Sequence, residues 1–164
     1  MSLSDVALAL ASADVGQHEV GGNNRGPYVD AVLAEVGLQP GEPWCAAALF
    51  SWFERAALQL GIPNPCPRTG STLEMWALAP DVCRDSNPTV GAVYVIRHSA
   101  TTGHVGIIEA CGDGGVTEIS GNTNREGSRE GDSVWRHSGP TPEVIHGGEL
   151  LGYLVFDRAV PVVS

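Results

Sequence analysis

The sequence predicts an α+β domain with its helices first and its strands second. Three observations carry that reading. Up to Leu78, apolar residues recur at helical spacing between Gly and Pro stops. Beyond Pro88 they fall into short β-rich runs separated by Gly, Asp, Ser and Asn turns, the mark of an antiparallel sheet. No internal repeat, low-complexity tract or linker divides the chain. Helices packed on an antiparallel sheet are the α+β arrangement. A length of 164 residues suits one domain, expected over 1–164, with a sizeable core and no need of disulfides.

Each element has its own signal. Ser4 can cap a first helix carrying Val6, Leu8 and Leu10, which ends near Gly16. A Gly- and Asn-rich loop follows to Gly26. Pro27 opens a second helix, with Tyr28, Val29, Val32, Leu33 and Val36 at helical spacing and Gly37 as its stop. Pro43 halts any helix from upstream, and from Cys45 to Leu60 there is neither Gly nor Pro until Gly61, in the place of a left-handed cap. This third helix is apolar on almost every side, with Glu54 and Arg55 its only charges, which predicts burial. Ser71-Thr-Leu-Glu74 is a capping-box pattern for a short helix through Leu78, ended by Pro80. Strands are expected around Val93–Ile96, Val105–Ile108, Val116–Ile119, Val134–Trp135 and Leu150–Phe156.

Charge and composition narrow the function. A formal charge of −10 and an isoelectric point near 4.7 argue against nucleic acid or an anionic membrane as partner, since both would be repelled. No apolar run approaches the ~18 residues of a membrane span, and the first residues lack the positive start of a secretory signal. Synthesis in the cytoplasm without a signal peptide is therefore expected. Cysteines stand at 45, 66, 83 and 111, with no C-x-x-C pair and no zinc-type spacing, so no metal is expected. A Cys66–Cys83 bridge is possible, but nothing in the sequence requires it.

Cys45 falls in the first turn of the apolar helix. There the unpaired N–H groups and the helix dipole favour a thiolate and offer donors to an oxyanion. A cysteine before Ala-Ala-Ala-Leu-Phe also suits plain core filling. A cysteine followed at long range by a His (Gly103-His104-Val105-Gly106) and then an Asn (Ser120-Gly121-Asn122-Thr123) is the chain order of a papain-type thiol site.

Together with Pro43-Trp44-Cys45-Ala-Ala and Ser51-Trp52, these motifs resemble the CHAP family of cysteine, histidine-dependent amidohydrolases and peptidases that cut peptidoglycan peptides. The similarity is read over roughly residues 12–156. The resemblance implies a papain-like fold, with Cys45 as nucleophile, His104 as base and Asn122 as the group that orients the imidazole. It places Glu19 and Asn24 beside the cleft, and Trp44, next to the cysteine, suits a cleft wall. Many members carry Glu-Gly-Asn where this chain has Ser120-Gly121-Asn122; Glu118, two residues earlier, is the alternative carboxylate. Some members bind calcium through an Asp-x-Asp loop before the cysteine, and residues 16–44 have none. The expected function is a monomeric peptidoglycan hydrolase without cofactors. It would meet stem peptide or glycan and act on the wall after lysis or dedicated export. A papain-like hydrolase of another amide and a silent wall-binding or phage structural module are the alternatives. The remaining histidines, 18, 98, 137 and 146, read as solvated.

Overall fold

A computed structural model describes residues 1–162. Helix α1 (Leu3–Asp14) is capped by Ser2, not Ser4. A capping box needs an acidic residue three positions on, and Asp5 stands three after Ser2: the Ser2 hydroxyl accepts from Asp5 N–H at 3.2 Å and the Asp5 carboxylate from Ser2 N–H at 2.8 Å. Ser4 turns into the core instead. Helix α2 spans Pro27–Glu35. Helix α3 spans Cys45–Leu60 and closes on Gly61 at φ 67°, the left-handed cap expected of it. It is buried from Cys45 through Phe53, while Leu58 in its last turn is exposed. Helix α4 (Thr72–Leu78) has Ser71 as its cap, accepting from Glu74 N–H.

The strands are β1 (Arg84–Asp85), β2 (Val93–Arg97), β3 (Gly103–Gly112), β4 (Gly115–Thr123), β5 (Ser133–Gly139) and β6 (Glu149–Leu154), with a short α5 (Pro142–His146) between the last two. They form one antiparallel sheet in the order β1-β6-β2-β3-β4-β5. This is the α+β architecture expected, with two elements unforeseen, β1 and α5.

Period-two alternation divides the sheet into two faces. Val93, Val95, Val105, Ile107, Ile119 and Leu154 join the helical core, where Phe53 meets Phe156 edge to face at 5.0 Å. Tyr94, Ile96, Ile108 and Tyr153 form a smaller core on the opposite face, against Ile145 of α5. Asp14, at the end of α1, ties the helices together: its carboxylate accepts from Tyr28 Oη (2.9 Å), Trp52 Nε1 (2.9 Å) and Arg55 Nη2 (2.5 Å).

One irregularity positions the site. Strands β3 and β4 pair from Gly112↔Gly115 to Ile107↔Ile119 with a register shift between Ile108 and Ala110, whereas Gly103–Gly106 has registered partners in β2. Beyond Ser120 the β4–β5 register shifts, and Asn122 takes φ 53°, a left-handed backbone. The sheet thus splits between the first residues of β3 and the last of β4.

Candidate active site

Cys45 sits at this split. Trp44 supplies no side-chain cap to α3, and the sulfur faces the main-chain N–H groups of Cys45, Ala46 and Val105, with Thr72 Oγ1 at 3.7 Å. Gly103 makes room for that threonine, since a Cβ there would lie 2.8 Å from Thr72 Cγ2. Burial pushes the Cys45 thiol up; the Thr72 hydroxyl and then the three N–H groups pull it down without overcoming burial. Burial thus opposes the thiolate that the helix start alone favours.

The sulfur lies at the side of a cleft of about 400 Å³, lined among others by Asn24, Thr72, Gly103, Asn122, Arg129 and Glu130. Asn24, expected beside the cleft, is there, its Nδ2 donating to Gly41 O at 3.2 Å. Trp44 is not a wall: it is fully buried and packs edge to face on Tyr28 at 6.0 Å. Its indole N–H donates to Glu19 Oε1 at 3.0 Å, so Glu19 holds the tryptophan and lies outside the cleft lining. Large apolar surface next to the helix start is more stably placed under the cleft than in it.

His104 is fully buried. It alternates with Val105 and so projects on the face of the smaller core, where its ring lies 4.4 Å from that of His146 and 6.2 Å from that of Tyr94. The neighbouring main chain, Val105 N–H, touches the sulfur, but no hydrogen bond joins the imidazole to Cys45. Burial, and then His146, hold its pKa well below the usual histidine range. Both ring nitrogens are buried without partners, as are Asn122 Oδ1, Thr123 Oγ1 and Ser120 Oγ; Ser120, a candidate for substrate contact, is fully buried and outside the cleft lining. The expected Asn122–His104 bond is not made in this state; Asn122 Nδ2 donates to Arg129 O at 3.2 Å instead. Unpaired buried polar atoms are uncommon, and five on two neighbouring strand ends call for a functional reason.

Glu118 lies away from the cleft. It is fully buried in the smaller core, its Oε1 at 2.6 Å from His137 Nδ1 and 2.8 Å from His146 Nε2, with Tyr94 Oη donating to its Oε2 at 2.7 Å. Burial alone would raise this carboxyl, but the two rings hold it down at about 2. It therefore neither lines the cleft nor binds His104. His137 and His146, read from sequence as solvated, are buried here. Their signal was the cross-strand pair Glu118↔His137, which appears only once the register is known.

Residues 37–122, over half of the chain, match the CHAP domain family. Among solved structures the chain resembles the crystal structure of Ly7917, with a TM-score of 0.50 and 18% identity over 94% of this chain and 62% of that one. It also resembles the crystal structure of Ly7917 with the hydrolyzing product of MDP, with a TM-score of 0.49 and 19% identity over the same shares. The chain thus spans less than two thirds of the structures it matches. No curated protein matches it. The first of these likenesses shows the α+β fold, and the family match, narrower than the span read from the motifs, takes in Cys45, His104 and Asn122 and leaves out His137 and His146. The chain belongs to the CHAP domain family.

Proposed function

We propose that the chain is a peptidoglycan hydrolase, an amidase or endopeptidase in which Cys45 is the nucleophile, His104 the base and Asn122 the group that orients the imidazole. The observation that carries this reading is a cleft thiol faced by three main-chain N–H groups, one of them from Val105, whose neighbour His104 has both ring nitrogens unpaired. Family membership supports the reaction class.

Thiol and imidazole are both neutral in the free protein, so the thiol proton moves to His104 as substrate binds. Catalytic hydrogen bonds are often unmade in free enzymes and tighten in the complex. The sulfur then attacks the amide carbon, and the oxyanion takes hydrogen bonds from main-chain N–H groups at the start of α3. The tetrahedral adduct collapses as the imidazolium protonates the departing amine, leaving a thioester. Water, deprotonated by His104, hydrolyses the thioester and restores the thiol. Asn122 Oδ1, without a partner in this state, can accept from the far imidazole N–H and fix the tautomer.

A second reading, a catalytically silent module, draws on the missing Cys45–His104 hydrogen bond. Mass spectrometry of muropeptides from purified wall separates the two. Cys45→Ala and His104→Ala are expected to lower fragment release at least ~10³-fold, with the fragments identifying the bond cut. Full activity in Cys45→Ala overturns the mechanism, and no release by wild type from any wall favours the silent module. A monomer that reaches the wall after lysis or by dedicated export fits this role.

A further inference from the structure

A second buried group lies on the face of the sheet opposite α3, with its His146 ring 4.4 Å from that of His104. Glu118, His137 and His146 come from β4, β5 and α5, and one ligand atom of each lies within 4.8 Å of the others. The side chains of Glu118 and His146 are fully buried, and that of His137 nearly so.

The outward nitrogens decide what the inward ones are. His137 Nε2 donates to Asn124 O at 2.6 Å, and His146 Nδ1 donates to Gly127 O at 2.8 Å. In its neutral form an imidazole has one N–H, and each ring then spends it on a main-chain carbonyl. The inward nitrogens, His137 Nδ1 and His146 Nε2, are then lone pairs, and both point at Glu118 Oε1, which has only lone pairs of its own. Three such atoms converging on one point are joined by a cation, either a ring proton or a metal ion. A ring nitrogen aimed inward while its twin is tied to a carbonyl is how proteins fix metal-binding histidines. Tyr94 Oη lies 2.7 Å from Glu118 Oε2 and 3.1 Å from His146 Nε2, and by donating to the carboxylate it leaves Oε1 for the ion.

We propose that Glu118, His137 and His146 bind one divalent transition-metal ion of the zinc class. Two imidazoles and a carboxylate suit zinc's ligand preference. At zinc–ligand distances of ~2.0–2.2 Å the ligand atoms stand farther apart than hydrogen-bonded ones, so binding widens the cluster by roughly half an ångström. The ion joins β4, β5 and α5 and, through the two carbonyls, fastens the 124–127 segment that leads to Arg129 and Glu130 at the cleft. Both histidines lie outside the residues matched by the family.

Chelator-stripped full-length protein titrated with zinc chloride by calorimetry tests this. One zinc per chain is expected, with Cys45→Ala binding as wild type does. Glu118→Gln weakens binding at least ~100-fold, and Tyr94→Phe, which removes a partner of the ligand, weakens it ~10-fold. Cobalt(II) in place of zinc gives a spectrum of nitrogen and oxygen ligation without thiolate bands. If Glu118→Gln does not fold, the wild-type arm decides alone. No stoichiometric uptake by wild type, thiolate bands with cobalt, or wild-type affinity in a folded Glu118→Gln overturns the proposal, and the first of these means that protons alone hold the cluster.

Discussion

At the scale of single residues, the thiol carries the sharpest expectation. Cys45 is nearly buried and its pKa is raised chiefly by that burial. A raised thiol pKa means that the reactive thiolate appears only as pH climbs past the ordinary range, near ~8.5 for a peptide cysteine. Iodoacetamide labelling of Cys45, followed by peptide mapping, should therefore trail the exposed Cys111 at neutral pH and keep rising above the range where a short cysteine peptide has levelled off. Fast labelling of Cys45 at pH 7 would contradict it. This reverses the naive use of alkylation as a sign of activity, because exposure ranks Cys111 ahead of the candidate nucleophile. Cys45 itself was legible, from a Pro stop, an apolar run and a His and an Asn in order downstream. The packing around the thiol, the burial of Trp44 and the turn of Glu118 away from the cleft were not legible, because each depends on neighbours distant in the chain: Thr72 and Val105, Glu19, and His146.

Among the elements, α3 is the part whose placement everything at the cleft shares, and Asp14 holds it. The carboxylate accepts from an indole, a phenol and a guanidinium on α2 and α3. Asp14→Ala leaves three part-buried donors unpaired, which should destabilise the fold by about 2–4 kcal/mol, read as a lower urea midpoint at unchanged slope. A loss under half that size would show that water replaces the carboxylate. The close approach of α3 to β4 is equally specific: a Cβ on Gly121 would lie 2.8 Å from Trp44 Cζ3 and 3.0 Å from Ala48 Cβ. The four longer helices and the five longer strands could be read from periodicity, since each spans enough residues for a repeat to show. Two-residue β1 and five-residue α5 offer no such window. Strand register is absent from the sequence altogether, and with it went the split between β3 and β4 and the cluster at Glu118.

Over the whole molecule, a charge of −10 works against binding to a wall rich in anionic polymer. Repulsion between like-charged surfaces weakens as the screening length falls from ~30 Å at 0.01 M salt to ~8 Å at 0.15 M. Pelleting with purified wall should therefore retain more protein at the higher salt, opposite to a basic wall binder; less retention would point to a cationic contact surface. The family match supplies thiol, imidazole and amide within residues 37–122, while the two rings clasping the carbonyls of Asn124 and Gly127 come from farther along the chain. The segment they hold leads to Arg129 and Glu130, which line the cleft. Because Asn122 Nδ2 donates to Arg129 O and a Cβ on Gly131 would collide with Thr123 C, this rim is fastened to the floor of the cleft, so its charge can be changed at the Arg129 and Glu130 side chains while its length and Gly131 are kept.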